Sequence, residues 1–126
     1  MAIIETTHEL TPPFEIVEMK PCKDYYFAID RWEVGWAEIS PRYPGAPEKK
    51  RVIGYRLYAK PGYKKYDPPY WDLFPKRLVY ALSRVLPNMD LDRWGIVIHR
   101  DIPGPGAHFG IKLVPLGEVP KPIVHP

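Results

Sequence analysis

Seventeen prolines punctuate a chain of 126 residues, and they decide where regular structure can sit. Proline fixes φ and lacks a backbone N–H, so it ends helices and interior strands and marks loops. The breaks fall at Pro12-Pro13, through 41–47, from Pro61 to Pro69, at Pro87, at 103–105, and at Pro120, Pro122 and Pro126. Between them the apolar residues are periodic, which argues for folded segments rather than disorder.

The clearest strand is Arg51 to Lys60. Ile53, Tyr55, Leu57 and Ala59 alternate with Val52, Gly54, Arg56, Tyr58 and Lys60, the period of two that a half-buried strand requires. On this pattern the first face is core, and the second presents Arg56, Tyr58 and Lys60 to solvent. Phe14 to Met19 reads as another strand. Tyr25 to Asp30 and Glu33 to Ile39 read as a hairpin turning at Arg31-Trp32. Trp94 to Asp101 and Ala107 to Val114 form a second hairpin across the Pro/Gly turn. One helix is expected, over about 73–86. Leu78, Ala81, Leu82, Val85 and Leu86 make its apolar stripe, and Asp72 is its expected cap. The fold class that follows is α+β, a mostly antiparallel sheet of about five or six strands with one packed helix. Residues 1–115 form a single domain, and 116–126 an extended Pro-rich tail.

Composition narrows the class. With 45% hydrophobic and 26% charged residues, the chain has the make-up of a soluble domain able to bury one real core. No apolar run approaches the ~20 residues of a membrane helix. Residues 1–10 carry Glu5 and Glu9 without a signal pattern, so a cytoplasmic location is expected. Cys22 is the single cysteine, which excludes an intrachain disulfide and a cysteine-based zinc site. There is no Gln and one Asn, Asn88; scarce amides with abundant proline suit high temperature. In length and composition the chain resembles the small uncharacterised proteins of hyperthermophilic archaea and of their viruses. That resemblance rests on no motif and implies no residue roles; a viral member would reside in host cytoplasm or virion.

Charge is sorted along the chain. Residues 42–84 hold 11 Lys/Arg against three acids, a net +8, whereas residues 1–41 carry −5. Seven of the nine tyrosines lie in the basic stretch. Cations interleaved with planar rings suit a surface that grips phosphates and stacks on bases. The candidates are Arg42, Lys49, Lys50, Arg51, Arg56, Lys60, Lys64 and Lys65 for phosphates, with Tyr58, Tyr63 and Tyr66 as stacking platforms. The layout is similar in kind to sheet-surface binders such as the RRM, without an RNP-type aromatic motif. The same residues also suit a solvated face, and Glu18, Glu33 or Glu38 would neutralise it if residues 15–38 lie beside it.

A second candidate is a metal site. Pairing Ile98 with Phe109 places His99 opposite His108, with Asp101 two residues away on the same face. Two His and a carboxylate are the ligand set of many open iron or zinc sites, and the HxD spelling resembles the start of the cupin triad. The alternative is a pair of exposed histidines near a turn that Asp101 initiates. The HRD of 99–101 also spells part of a kinase catalytic loop, but glycine-rich loop and DFG are absent. Nucleophilic chemistry has only Ser40, Ser83, three threonines and Cys22 to draw on.

The expectation from sequence is thus a non-catalytic protein without a cofactor, binding nucleic acid through 42–84 with little sequence selection. The alternatives are a homo-oligomeric structural or assembly protein, its tail docking on a neighbour, and a small metal-dependent enzyme using His99, Asp101 and His108.

Overall fold

The computed structural model describes residues 4–40, 45, 48–103 and 106–126. Six strands and one helix follow in the order β1 (Asp24–Phe27), β2 (Ile29–Ile39), β3 (Lys50–Ala59), β4 (Tyr70–Leu73), α1 (Lys76–Val85), β5 (Trp94–Arg100) and β6 (Phe109–Pro115), with 3-10 turns at Leu86–Asn88 and Leu116–Glu118. They form two three-stranded antiparallel sheets, β1-β5-β6 and β2-β3-β4. This is the α+β class expected from sequence. No helix among the described residues is long and apolar enough to cross a membrane.

The main core includes the inward faces of both sheets. Phe27, Ile29, Leu57, Leu73, Ile96 and Ile98 are fully buried together, and α1 adds Leu78, Val79 and Leu82. The i, i+3, i+4 stripe therefore does what its spacing demands.

Four local expectations need correction. Arg31-Trp32 is not a turn, because β2 runs straight through it with a bulge between Ile29 and Arg31. Neither residue favours the positive φ that a two-residue hairpin needs; the chain instead changes sheets at the buried Ala28. Phe14 to Met19 is no strand and makes one parallel bridge, Ile16 to Asp72. The helix begins at Lys76, not near 73, and Pro75 precedes it with no side-chain cap. Asp72 lies instead in β4, whose four residues are all buried. The tail returns to the body: the Ile123 N–H donates to the Tyr63 carbonyl at 2.8 Å, and the His125 ring packs on Tyr25, Phe27 and Trp71.

The segment before β1 acts as a strap over the outer face of β2-β3-β4. It pairs with β2 at one edge, Leu10 N–H to Trp36 O at 2.8 Å and Trp36 N–H to His8 O at 2.9 Å. At the other edge Asp72 N–H donates to Glu15 O at 2.7 Å and Val17 N–H to Asp72 O at 3.1 Å. Beneath it Leu10 packs with Ala37 and Phe74, and Phe14 and Val52 join them. Gly35 and Gly54 face each other across β2 and β3. A Cβ on Gly35 would sit 2.9 Å from His8 O, and one on Gly54 would enter the Phe74 ring. Two glycines thus let the covering layer lie flat on the sheet.

Candidate nucleic-acid interface

The strap overturns the expected basic face. Arg56 is 2% exposed and Asp72 fully buried. The Arg56 guanidinium donates twice to the Asp72 carboxylate, from Nε at 2.8 Å and Nη2 at 3.2 Å, and lies 4.0 Å over the Tyr70 ring. Burial by itself would lower the Arg56 pKa; the hydrogen bond and charge of Asp72 outweigh it and hold the pKa above its ordinary value. Burial likewise raises the Tyr70 hydroxyl, which donates to Pro13 O.

Neighbouring positions on this face are also occupied internally. Antiparallel pairing sets Glu33 of β2 opposite Arg56, so an acid from the N-terminal third meets the basic strand. Glu33 accepts from the Tyr58 hydroxyl at 2.9 Å and contacts His8 Nε2 at 3.0 Å. Tyr58 carries the Arg31 guanidinium on its ring at 3.6 Å. Lys60 Nζ is 3.8 Å from Asp92. Arg56 and Tyr58 therefore belong to a neutralised, partly buried network, and with Lys60 beside the exposed Asp92 the three form no open phosphate-gripping row.

The remaining candidates separate into two groups. Lys49–Arg51 and the 61–70 loop lie at opposite ends of β3, roughly 30 Å apart for a ten-residue strand. In the loop, Lys64 Nζ donates to Tyr66 O at 2.8 Å and Pro68 O at 2.7 Å, closing the turn on itself. Tyr63 accepts the Ile123 N–H through its carbonyl and carries Lys121 above its ring at 5.1 Å. Lys65 and the exposed Tyr66 face each other at 5.5 Å. Arg42 lies outside the described residues.

The opposite end is open. β4 pairs only with Tyr55 to Tyr58, so the Lys50–Ile53 end of β3 runs past it. Between that end and the start of α1 lies a groove of about 590 Å³. Val52, Ile53 and Val79 supply aliphatic lining, Trp36, Phe74 and Tyr80 add aromatic rings, and Lys50, Arg51 and Lys76 are its cations. Arg51 is tied to Glu9 and stands 5.2 Å from the Trp36 ring. Lys49, Lys50 and Lys76 are exposed and make no ion pair among the described residues. The first turn of α1 holds no acid, so no carboxylate of that turn offsets Lys76. A volume in this range holds a nucleotide-sized ligand. Of this constellation, sequence reasoning had Lys49, Lys50 and Arg51. Lys76, Trp36 and Tyr80 are not singled out by the sequence pattern, since only the mismatch between β3 and β4 gathers them.

The metal candidates are not brought together. Ile98 pairs with Ile111, and His99 with Gly110, two residues away from the expected register. A shift of two keeps every side chain on its face, so the apolar pattern fits both registers equally. His99 Nδ1 sits 2.7 Å from Asp24 Oδ1, and His108 lies beside Arg77 Nη1 at 3.4 Å. The Asp101 carboxylate accepts the backbone N–H of His108 at 2.7 Å and of Ile102 at 2.6 Å. The His108 hydrogen bond leads in holding the Asp101 pKa below its ordinary value. Asp101 thus closes the turn, and among the described residues no three His, Cys, Asp or Glu side chains are grouped to hold a metal. Compared with known proteins, the chain matches no family model, no curated protein and no solved structure.

Proposed function

We propose that this protein binds nucleic acid, with little sequence selection, at the groove between the Lys50 end of β3 and the start of α1. Lys49, Lys50 and Lys76 take phosphates, Arg51 adds a fourth contact only by leaving Glu9, and a base enters the groove against Trp36 or Tyr80. The observation that carries the reading is the apolar, aromatic-walled groove with Lys50 and Lys76 unpaired beside it. Base stacking on an aromatic contributes about 1–3 kcal/mol, and the lysines add an electrostatic share that salt removes.

The test is fluorescence anisotropy with labelled single- and double-stranded DNA and RNA. Three or four phosphate contacts to a single strand predict a roughly 20- to 50-fold loss of affinity between ~50 and ~200 mM salt. Lys50→Glu/Lys76→Glu should abolish binding, while Lys64→Glu/Lys65→Glu, at the far end of β3, should leave most of it. Trp36→Ala should weaken single-strand binding by about tenfold, the loss of roughly one stacked base. No binding at the lower salt, or equal loss from both double variants, would sink the proposal.

A further inference from the structure

Three of the four sheet edges are met by other parts of the chain. The strap pairs with the outer edges of β2 and β4, and the His125 ring bonds to the outward Tyr26 carbonyl of β1 at 2.9 Å. β6 is the remaining edge, and among the described residues nothing pairs with its outer side. An open edge of backbone donors and acceptors is a template for another strand.

The register identifies which groups are open. Asp101 N–H donates to His108 O at one end of the β5–β6 pair, and Leu116 N–H to Arg93 O at the other. In an antiparallel ladder hydrogen-bonded pairs recur every second residue, so Gly110, Lys112 and Val114 face β5. The N–H and C=O groups of Phe109, Ile111 and Leu113 therefore point outward. Their side chains share one face, and Leu113 is 47% exposed.

We infer that β6 pairs with β6 of a second copy, antiparallel about a two-fold axis at Ile111, joining two three-stranded sheets into one continuous sheet. In this register Ile111 meets Ile111, and Phe109 meets Leu113, each pair exchanging two backbone hydrogen bonds. Lys112 meets Gly110, where a Cβ would have no neighbour within 4 Å, so the lysine stem has room. Moving the axis to residue 112 sets Lys112 directly against Lys112 and brings Pro115, which has no N–H, into the ladder. Moving it to residue 110 pairs Leu113 with Ala107, beyond the end of β6. Charge and hydrogen-bond complementarity together select the Ile111 register, and the surface is self-complementary as a two-fold interface must be.

Sedimentation velocity from about 10 to 500 μM, without nucleic acid, tests the assembly by mass action. The wild type should move toward twice the 14.6 kDa of one chain. Leu113→Pro removes an outward N–H with no role in the β5 pairing, and Leu113→Lys sets a charge on the edge. Each should weaken self-association at least tenfold and keep the wild-type circular dichroism spectrum. If Leu113→Pro does not fold, Leu113→Lys and amide exchange decide. The Phe109, Ile111 and Leu113 amides should slow with concentration, whereas Gly110, Lys112 and Val114 stay protected throughout. A mass of 14.6 kDa at every concentration overturns the inference. So does a dimer that survives Leu113→Lys, or one in which the three outward amides exchange as fast as in the dilute protein.

Discussion

Replacing Asp72 by Asn tests how much of this fold rests on one buried ion pair. The substitution keeps size and one carbonyl acceptor but removes the charge that Arg56 faces across 2.8 and 3.2 Å. Arg56 is 2% exposed and Asp72 0%, so water cannot replace the lost partner, as it does at a surface pair. Removing one member of such a pair costs about 3–5 kcal/mol. Glu33 at 3.9 Å and Pro13 O at 3.4 Å offer Arg56 partial compensation, which sets the expectation near 3 kcal/mol. For a chain of this size that corresponds to a melting temperature lower by about 10–15 °C. Arg56→Met should cost a similar amount, because it strands the Asp72 carboxylate with the Glu15 N–H at 2.8 Å. The double variant should lose clearly less than the two single losses together, by about 2 kcal/mol or more. Urea unfolding followed by circular dichroism measures all three. Because the pair also holds Pro13 and Glu15, limited proteolysis should open the strap between 11 and 18 in either single variant before the core unfolds. A loss under about 1 kcal/mol for Asp72→Asn, the size expected of a hydrated surface pair, would refute the reasoning.

Other expectations follow from single contacts. Burial leads in lowering the His125 pKa from its ordinary 6.5, with Lys64 acting in the same direction. Docking of the tail is therefore at full strength above pH 6.5 and weakens as the pH falls below it, because the free ring takes a proton that the docked ring resists, until the docked ring itself protonates. Melts from about pH 7.5 to 5 should show that slope in the wild type and a shallower one in His125→Phe. Gly54→Ala drives a methyl into Phe74 and to 2.9 Å from Leu73 O, and urea unfolding should show a loss of about 1–3 kcal/mol. Gly117→Ala, with nothing within 4 Å, should be neutral or gain up to about 1 kcal/mol in the same assay. Cys22 holds φ at 60°, a left-handed conformation that Asn tolerates better, so Cys22→Asn should raise thermal stability by up to about 1 kcal/mol.

Period-two and period-3.6 patterns carried the parts of the fold that depend on local chemistry. The core faces of β3 and α1 were legible because Tyr55, Leu57, Leu78 and Leu82 recur at the spacing their elements impose. What failed depended on a distant partner. The polar face of β3 looked solvent-bound because Arg56 and Tyr58 are polar, yet its cover is the strap from His8 to Val17, far away in sequence and without periodicity. β4 was hidden for the opposite reason: Tyr70 to Leu73 is buried on both faces, so it shows no alternation and runs into the helix pattern. The β5–β6 register was underdetermined, since a two-residue slip leaves every apolar side chain on its face.

Charge sorting along the sequence marks a basic stretch without locating a surface in it. Arg56 is paired inside with Asp72 from the same stretch, Arg51 with Glu9 from the acidic third, and Lys60 with Asp92 from the C-terminal third. Lys64 is spent on carbonyls. A block sum of +8 thus overstates the free positive charge, because Glu9 of the strap and Asp92 of the turn before β5 come from outside the block to pair with its cations. What distinguishes Lys50 and Lys76 from the others is geometric. β3 is ten residues long and β4 four, and the chain turns into α1 directly after β4. That leaves the Lys50 end of β3 without a strand on its β4 side, and Trp36 and Tyr80 beside two lysines that make no ion pair among the described residues. The candidate site is a consequence of unequal strand lengths, which is why its cations can be tested at one end of β3 against those at the other.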